Sequence, residues 1–394
     1  MTLPIDRPQI DREKAQAANA RAMAALRVGD ASAAMLAARE AAEADPEALS
    51  LWINLALACR MGADAGAERF ALERALDLDR LDFTAQLRMA QLLQRTGEET
   101  KALVAWDGVQ QLAVRFPNLP EPVRAEINTG ETYCAGLRTR VAEAARAALA
   151  ASAALDETEQ RRIHAFTAAA LGERRIYANE CAGLFYPFLP ADEFFDRRHF
   201  PWFETLEAEA GSIRAELTAL LAEPGDALRP YVRMEQGSPD TKWSALDGSL
   251  DWAACFLWEY GVPNAAVIDR CPHTARVLES LPLARIPGRA PNAFFSMLRP
   301  RSRIPAHTGV TNTRAIVHLA LDVPQGCGFR VGGETREWVE GKVFAFDDTI
   351  EHEAWNDSDA RRAVLILDAW NPHLSPRECA SITAYFAASD GALR

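Results

Sequence analysis

Arg314-Ala315-Ile316-Val317-His318-Leu319-Ala320-Leu321-Asp322-Val323, closed by Pro324-Gln325-Gly326, is a short apolar run ended by turn residues. Ala293–Leu298, Gly328–Val331, Lys342–Phe346 and Ala363–Trp370 have the same texture and the same Gly, Pro, Asn and Asp punctuation. Runs of this kind are the pattern of antiparallel strands. Several in close succession predict a jelly roll, or double-stranded β-helix, from about Asn292 onward.

Upstream the texture is different. From about Gln16 to Asn118 the chain is rich in Ala, Leu, Glu and Arg and reads as helix. Glu43-Ala44-Asp45-Pro46 lies 34 positions before Asp77-Leu78-Asp79-Arg80, and Gly29-Asp30, Gly62-Ala63 and Gly97-Glu98 recur at spacings of 33 and 35. A helix, a Gly-containing turn, a second helix and a polar break at this period predict tetratricopeptide-like repeats at 15–48, 49–82 and 83–117, after an N-terminal tail at 1–14. The consensus aromatics are mostly missing, so period rather than letters carries the reading, and a plain helical bundle is the alternative. Asn118-Leu119-Pro120-Glu121-Pro122 ends the array. Helices are expected over Glu121–Ala154 and Glu157–Leu171 in a connector at 121–180, and over Phe203–Ala222 at the start of a β-rich domain at 181–394.

At 394 residues, 49% hydrophobic and 25% charged, the chain is long enough for two or three folded domains. A net charge of -12 argues against a general nucleic-acid binder, which needs a concentrated basic face. No apolar run has the length of a membrane span, and Met1 to Ala20 lacks the apolar core of a secretory signal. Seven scattered cysteines with no C-x-x-C pair fit reduced thiols, so a cytoplasmic location is expected.

Two of the seven histidines have informative company. His307 lies in Pro305-Ala306-His307-Thr308-Gly309, and His352 in Phe346-Asp347-Asp348-Thr349-Ile350-Glu351-His352-Glu353-Ala354-Trp355, with Arg362 ten residues further on. Two imidazoles near strand ends and an arginine on a third strand suit a mononuclear Fe(II) site with a dicarboxylate co-substrate, the equipment of an oxygenase. The usual facial triad has a carboxylate two residues after the first histidine; here that position is Gly309. From the residues alone this leaves a dead site, a two-histidine iron, or a halogenase with chloride in the third place. Asp347 and Asp348 are adjacent, so strand alternation turns at most one inward; a turn or surface role away from the metal is expected for both.

These residues resemble the aspartyl/asparaginyl β-hydroxylase family over roughly Phe185 to Glu378. The likeness is densest in His307-Thr308-Gly309-Val310-Thr311-Asn312, in Gly333 through Val343, in Phe346 through Trp355, and in Asp368-Ala369-Trp370-Asn371-Pro372. The resemblance implies a jelly-roll oxygenase that uses Fe(II), 2-oxoglutarate and O2 and binds iron through two histidines without a carboxylate, so Gly309 fits the pattern. It implies His307 and His352 as iron ligands, and Arg362, Ser296 and His318 as co-substrate contacts. Ile316 departs from the family, whose best-known member has arginine there. Period-two geometry aligns Arg314 with Ile316 and His318, so Arg314 is expected to compensate in part and to contact substrate. The resemblance implies Trp252 near the substrate cleft, with plain packing as its other reading. The implied reaction is hydroxylation of an unactivated C–H bond, with an Asp or Asn side chain of a peptide or protein, gathered by the helical repeats, as the first substrate reading. The alternatives are a small molecule or lipid, halogenation, or a repeat-based interaction protein with an inactive β domain.

Overall fold

The computed structural model describes residues 10–150 and 155–392. The chain divides into two compact units, one ending at residue 154 and one starting at 155. The 121–180 segment is therefore shared between the units rather than forming a connector of its own, and the packing below explains why.

The first unit is a run of antiparallel helix pairs: α1 (Arg12–Val28) with α2 (Ala31–Ala44), α3 (Leu49–Met61) with α4 (Ala65–Leu78), α5 (Phe83–Arg95) with α6 (Glu99–Ala113), then the long α7 (Glu121–Ala150). This is a tetratricopeptide-like array. The second helix of each pair follows Asp30, Asp64 or Glu98, positions spaced by 34 residues. Asp30 and Asp64 each accept a hydrogen bond from the backbone N–H three residues on, satisfying one of the otherwise unpaired donors at a helix start. Asp11 does the same for α1, so helix begins within the expected tail, whose residues 1–9 lie outside the described residues.

Close packing in this unit rests on alanine. Ala15, Ala18, Ala22, Ala34, Ala38 and Ala41 are buried between the first helices, where small side chains let backbones approach. A bulkier core residue, Trp106 of α6, is buried against α7 at Gly130, where any Cβ would overlap the indole. That contact places α7 in the first unit. The last four residues of the helix expected over Glu121–Ala154 lie outside the described residues.

The second unit opens with α8 (Glu157–Ala170), tied to the β structure by Arg161, which donates to Glu334 Oε2 (2.7 Å) and Phe194 O (2.7 Å). The helix expected over Phe203–Ala222 is two helices, α9 (Phe203–Ala208) and α10 (Ala210–Ala222), broken at Glu209, whose carboxylate meets His273 Nε2 at 2.7 Å. Shorter helices α11 (Ala265–Ile268) and α12 (Pro272–Ser280) follow, and α13 (Pro376–Ala392) comes after the last strand.

Among the described residues, eleven strands form two antiparallel sheets. They are β1 (Arg229–Pro230), β2 (Trp252–Glu259), β3 (Val262–Pro263), β4 (Ala293–Leu298), β5 (Ser302–His307), β6 (Arg314–Asp322), β7 (Cys327–Val331), β8 (Glu334–Arg336), β9 (Val343–Phe346), β10 (His352–Asn356) and β11 (Arg362–Trp370). The larger sheet runs β1-β2-β4-β11-β6-β9, with β3 paired to β2; the smaller runs β5-β10-β7-β8. This interleaving is the double-stranded β-helix.

Alternation along the strands gives the larger sheet two unlike faces. Val317, Leu319, Leu365, Leu367, Phe295 and Met297 point outward into a core shared with α9, α10 and α12. Their neighbours Ile316, His318, Arg362, Val364, Ser296 and Trp252 point the other way, toward the smaller sheet. There Ile304, Phe329 and Ala354 close an inner core with them.

Candidate functional site

The inner face opens into a cavity of about 1030 Å³. His307, His352, Ser296, His318, Arg362, Arg314 and Trp252, the residues singled out from the sequence, all line it, although they come from six strands.

His307 ends β5 and His352 begins β10, and the two are direct partners across the ladder. Their ring centroids stand 4.0 Å apart. Each ring places Nδ1 against a backbone carbonyl two residues back, His307 on Pro305 O (2.8 Å) and His352 on Ile350 O (3.0 Å). A carbonyl only accepts, so both Nδ1 atoms carry hydrogen and both Nε2 atoms keep a lone pair. Burial pushes both imidazoles toward the neutral form, His352 well below the ordinary histidine value, with His307 beside it adding to the shift. Two neutral imidazoles with fixed tautomers are a ligand set for a transition metal. Among the described residues no group of three or more His, Cys, Asp or Glu could hold a metal, so this pair fits iron only as a two-histidine site.

Gly309 bears directly on that count. A Cβ there would overlap the carboxylate of Asp348, and the Gly309 N–H donates to Asp348 O at 2.6 Å. The sequence expectation of a turn holds for this pair, and its surface alternative is corrected. Neither is a surface residue: Asp347 is fully buried and Asp348 lines the cavity. Strand alternation misled because both lie in the loop after β9. Asp347 Oδ1 accepts from Thr349 N (3.0 Å) and Oγ1 (2.6 Å), yet burial still pushes its carboxyl up to about 6. Burial raises Asp348 to about 7, against the opposing pull of Arg314.

Arg362 is the most unusual charge in the molecule. Its side chain is 1% exposed, and its Nε and Nη1 are the only buried side-chain nitrogens or oxygens without a hydrogen-bond partner among the described residues. Burial lowers its pKa to about 10, so it remains a cation. Its one compensation is the Trp338 ring, 4.8 Å from Cζ. A buried guanidinium with idle donors costs stability unless an anion arrives, and a carboxylate matches its fork. Ser296, on the adjacent strand and the same face, accepts from Trp252 Nε1 at 3.1 Å and keeps its own hydroxyl hydrogen to donate. The pair suits an incoming carboxylate.

His318 is enclosed by Phe329, Phe344, Phe346 and Trp338, and burial drives its pKa well below the ordinary value. Trp338 Nε1 approaches its Nδ1 at 3.4 Å, which leaves Nε2 as the protonated donor. Arg314 is committed elsewhere. Its Nη1 donates to Asp368 Oδ2 at 2.6 Å, and that oxygen also accepts from the Asn292 backbone and side chain. Ile316, two positions along on the same face, adds no charge, so Arg314 meets the cavity already paired with a carboxylate. Trp252 is both packing and lining: its ring stacks on Tyr231 at 3.9 Å, and Phe256 and Phe294 continue the aromatic wall. Sequence reasoning missed Tyr231, around which no local pattern pointed inward, and it had Asp348 in view without placing it at the cavity.

The family profile described as Aspartyl/Asparaginyl beta-hydroxylase matches residues 207–372. The human aspartyl/asparaginyl beta-hydroxylase is 38% identical over 135 residues, 34% of this chain and 18% of that protein. The ornithine lipid ester-linked acyl 2-hydroxylase of Rhizobium tropici is 34% identical over 200 residues, 50% of this chain and 67% of that protein. The chain thus spans less than a fifth of the length of the human relative. Among solved structures, the TPR2AB domain of yeast Sti1 in a pHSP90 complex is similar at 20% identity and a TM-score of 0.30, over 32% of this chain and 48% of that one. The Sgt2 TPR domain from Aspergillus fumigatus gives 15% identity and a TM-score of 0.30, over 38% of this chain and 94% of that one. The similarity to the hydroxylases runs through the strands that carry the histidine pair and through Arg362, and on it the chain belongs to the aspartyl/asparaginyl β-hydroxylase family.

Proposed function

We propose that the β-rich unit is an Fe(II)- and 2-oxoglutarate-dependent dioxygenase that hydroxylates an unactivated C–H bond. The observation that carries this is the buried Arg362 guanidinium with two idle donors, in the same cavity as two neutral imidazoles with free Nε2 lone pairs. His307 and His352 would hold the iron, and Arg362 with Ser296 would hold the far end of the co-substrate, with His318 Nε2 donating nearby. Bound iron with 2-oxoglutarate and O2 supplies the oxidising power; the chain supplies ligation, orientation and a dry wall. Anaerobic Fe(II) plus 2-oxoglutarate is expected to give a weak visible charge-transfer band. Succinate release should be lost in His307→Ala and His352→Ala; equal release in all three proteins would exclude the site and favour an interaction protein with an inactive β domain.

A peptide or protein Asp or Asn is the first substrate reading, with the helical repeats as the peptide-gathering surface and the cytoplasm as the compartment. No helix among the described residues is long and apolar enough to cross a membrane. A second reading has specific support. Arg314 is neutralised by Asp368, Ile316 is uncharged, and Tyr231, Trp252, Phe256 and Phe294 line the approach. That wall suits an apolar chain, as in the acyl hydroxylase relative, better than a substrate carboxylate. Mass spectrometry for a gain of one oxygen, on Asp-containing peptides against acyl amphiphiles, separates the two; chloride incorporation would mark a halogenase.

A further inference from the structure

Each metal-site histidine sits at the very end of a strand, so the ladder supports its backbone on one side only. Beyond His307 the chain is irregular from 308 to 313, and before His352 it is irregular from 347 to 351. A segment with no regular structure, 179–186, crosses both stretches. Asn179 Nδ2 donates to Asp347 Oδ2 (2.7 Å) and Thr349 Oγ1 (2.9 Å), and Glu180 N donates to Thr349 O (2.7 Å). On the other stretch, Ala182 N donates to Gly309 O (2.9 Å) and Gly183 N to Val310 O (2.8 Å). Asn312, fully buried, closes the set: its Oδ1 accepts from Tyr186 N (2.8 Å) and its Nδ2 donates to Tyr186 O (2.9 Å).

We propose that Asn179 and Asn312 are positioning residues, through which 179–186 straps together the two loops that set the separation of the imidazoles. The inference rests on the metal-site reading above. Backbone N–H groups could bind the same carbonyls on many segments. What is particular is that each end of the strap is secured by a side-chain amide making two bonds, one amide per histidine loop. Asn179 reaches a fully buried carboxylate that itself organises Thr349, and Asn312 mimics a ladder pair with Tyr186. The fit leaves no slack at its middle, where a Cβ on Gly183 would stand 2.8 Å from Val310 Cγ1. The strap also forms part of the cavity rim through Gly183 and Leu184, so the element that spaces the ligands is the one a substrate touches.

The test is Co(II) titration of the apoprotein, followed by visible absorption, with the melting temperature of each apo variant measured alongside. Asn179→Ala and Asn312→Ala are expected to weaken Co(II) binding by about threefold to tenfold, less than the 10- to 100-fold loss on removing a group bonded directly to a metal ligand, because both act one step further out. Asn179→Gln, which keeps the amide, should recover part of the loss. Leu365→Ala serves as the control, because it lowers the melting temperature from the far side of the sheet and should leave Co(II) affinity within about twofold. Co(II) affinity within twofold of wild type in both alanine variants overturns the strap, as does a loss in Leu365→Ala as large as theirs. Should Asn312→Ala fail to fold, Asn179→Ala and its glutamine variant decide the matter. A wild type that binds no Co(II), or His307→Ala binding it equally well, overturns the metal reading and the strap together.

Discussion

Strand β11 carries two proteins' worth of demands on alternate residues. Ala363, Leu365 and Leu367 are fully buried in the outer core and have ordinary apolar neighbours, while Arg362, Ile366 and Asp368 line the cavity and Val364 packs in the inner core on their face. Strand β6 divides likewise, Val317 and Leu319 outward, Arg314, Ile316 and His318 inward. The difference teaches that one face is built for stability and the other tolerates instability. Among the described residues the outer face has no buried side-chain nitrogen or oxygen without a partner; the inner face holds an arginine with idle donors, and the loop after β9 beside it carries two raised carboxyls.

The sharpest way to break that comparison is His352→Ala on the inner side. Turnover should fall by at least about a thousandfold with metal binding lost, while chemical denaturation shows little change or a small gain. Arg362→Met comes next. Its KM for 2-oxoglutarate is expected to rise roughly 30- to 1000-fold, the range for losing a buried charge pair. The apo form should become more stable, because an unpaired buried cation has been exchanged for an apolar chain of similar length. An apo melting temperature that falls instead would show that Arg362 is satisfied in the resting protein. On the outer side, Leu365→Ala should cost about 3 kcal/mol in urea unfolding through the cavity it leaves, with the KM for 2-oxoglutarate unchanged.

The smallest effect is one of pH. Asp347 titrates near 6 in the folded chain against about 3.8 in the unfolded one, so the folded state holds its proton more tightly. Its contribution to stability is present below the unfolded value and lost as pH rises toward 6. Asp347→Asn should therefore gain on wild type between pH 4 and pH 6.5, by no more than about 2 kcal/mol. A constant difference across that range would mean the carboxyl is solvated.

Much of this was legible in the sequence, for physical reasons. Ala293–Leu298 was found to the residue, because its neighbours are turn formers and its length is that of a strand. The helical period was readable in the turns that precede Asp30, Asp64 and Glu98. Strand β2 was not: Trp252 to Trp258 is buried on both faces, so it shows no alternation that would separate it from helix. Strand β5, Ser302-Arg303-Ile304-Pro305-Ala306-His307, was legible only at its His307 end, because proline and arginine interrupt its alternation and pairing with β10 sets its bounds. The histidines and Arg362 could be named from their motifs. Tyr231 and the Asn179 strap could not, and Asp348 was named without its place in the cavity, since these roles come from chain segments brought together over long separations, such as 168 residues between Asn179 and Asp347.

The order of strands in the larger sheet has a consequence for how the molecule comes into being. Strand β11, the last made, lies between β4 and β6. Until the ribosome has released residue 370, those two earlier strands have bare edges toward each other and the arginine side of the cavity has no wall. Closure of this unit therefore waits for residue 370 and is governed by distant pairings, which fold slowly and leave adhesive edges exposed meanwhile. The alanine-packed helices before it need only their sequence neighbours and can form while synthesis continues, so a stalled or truncated chain would present a finished repeat array attached to an unclosed, aggregation-prone sheet.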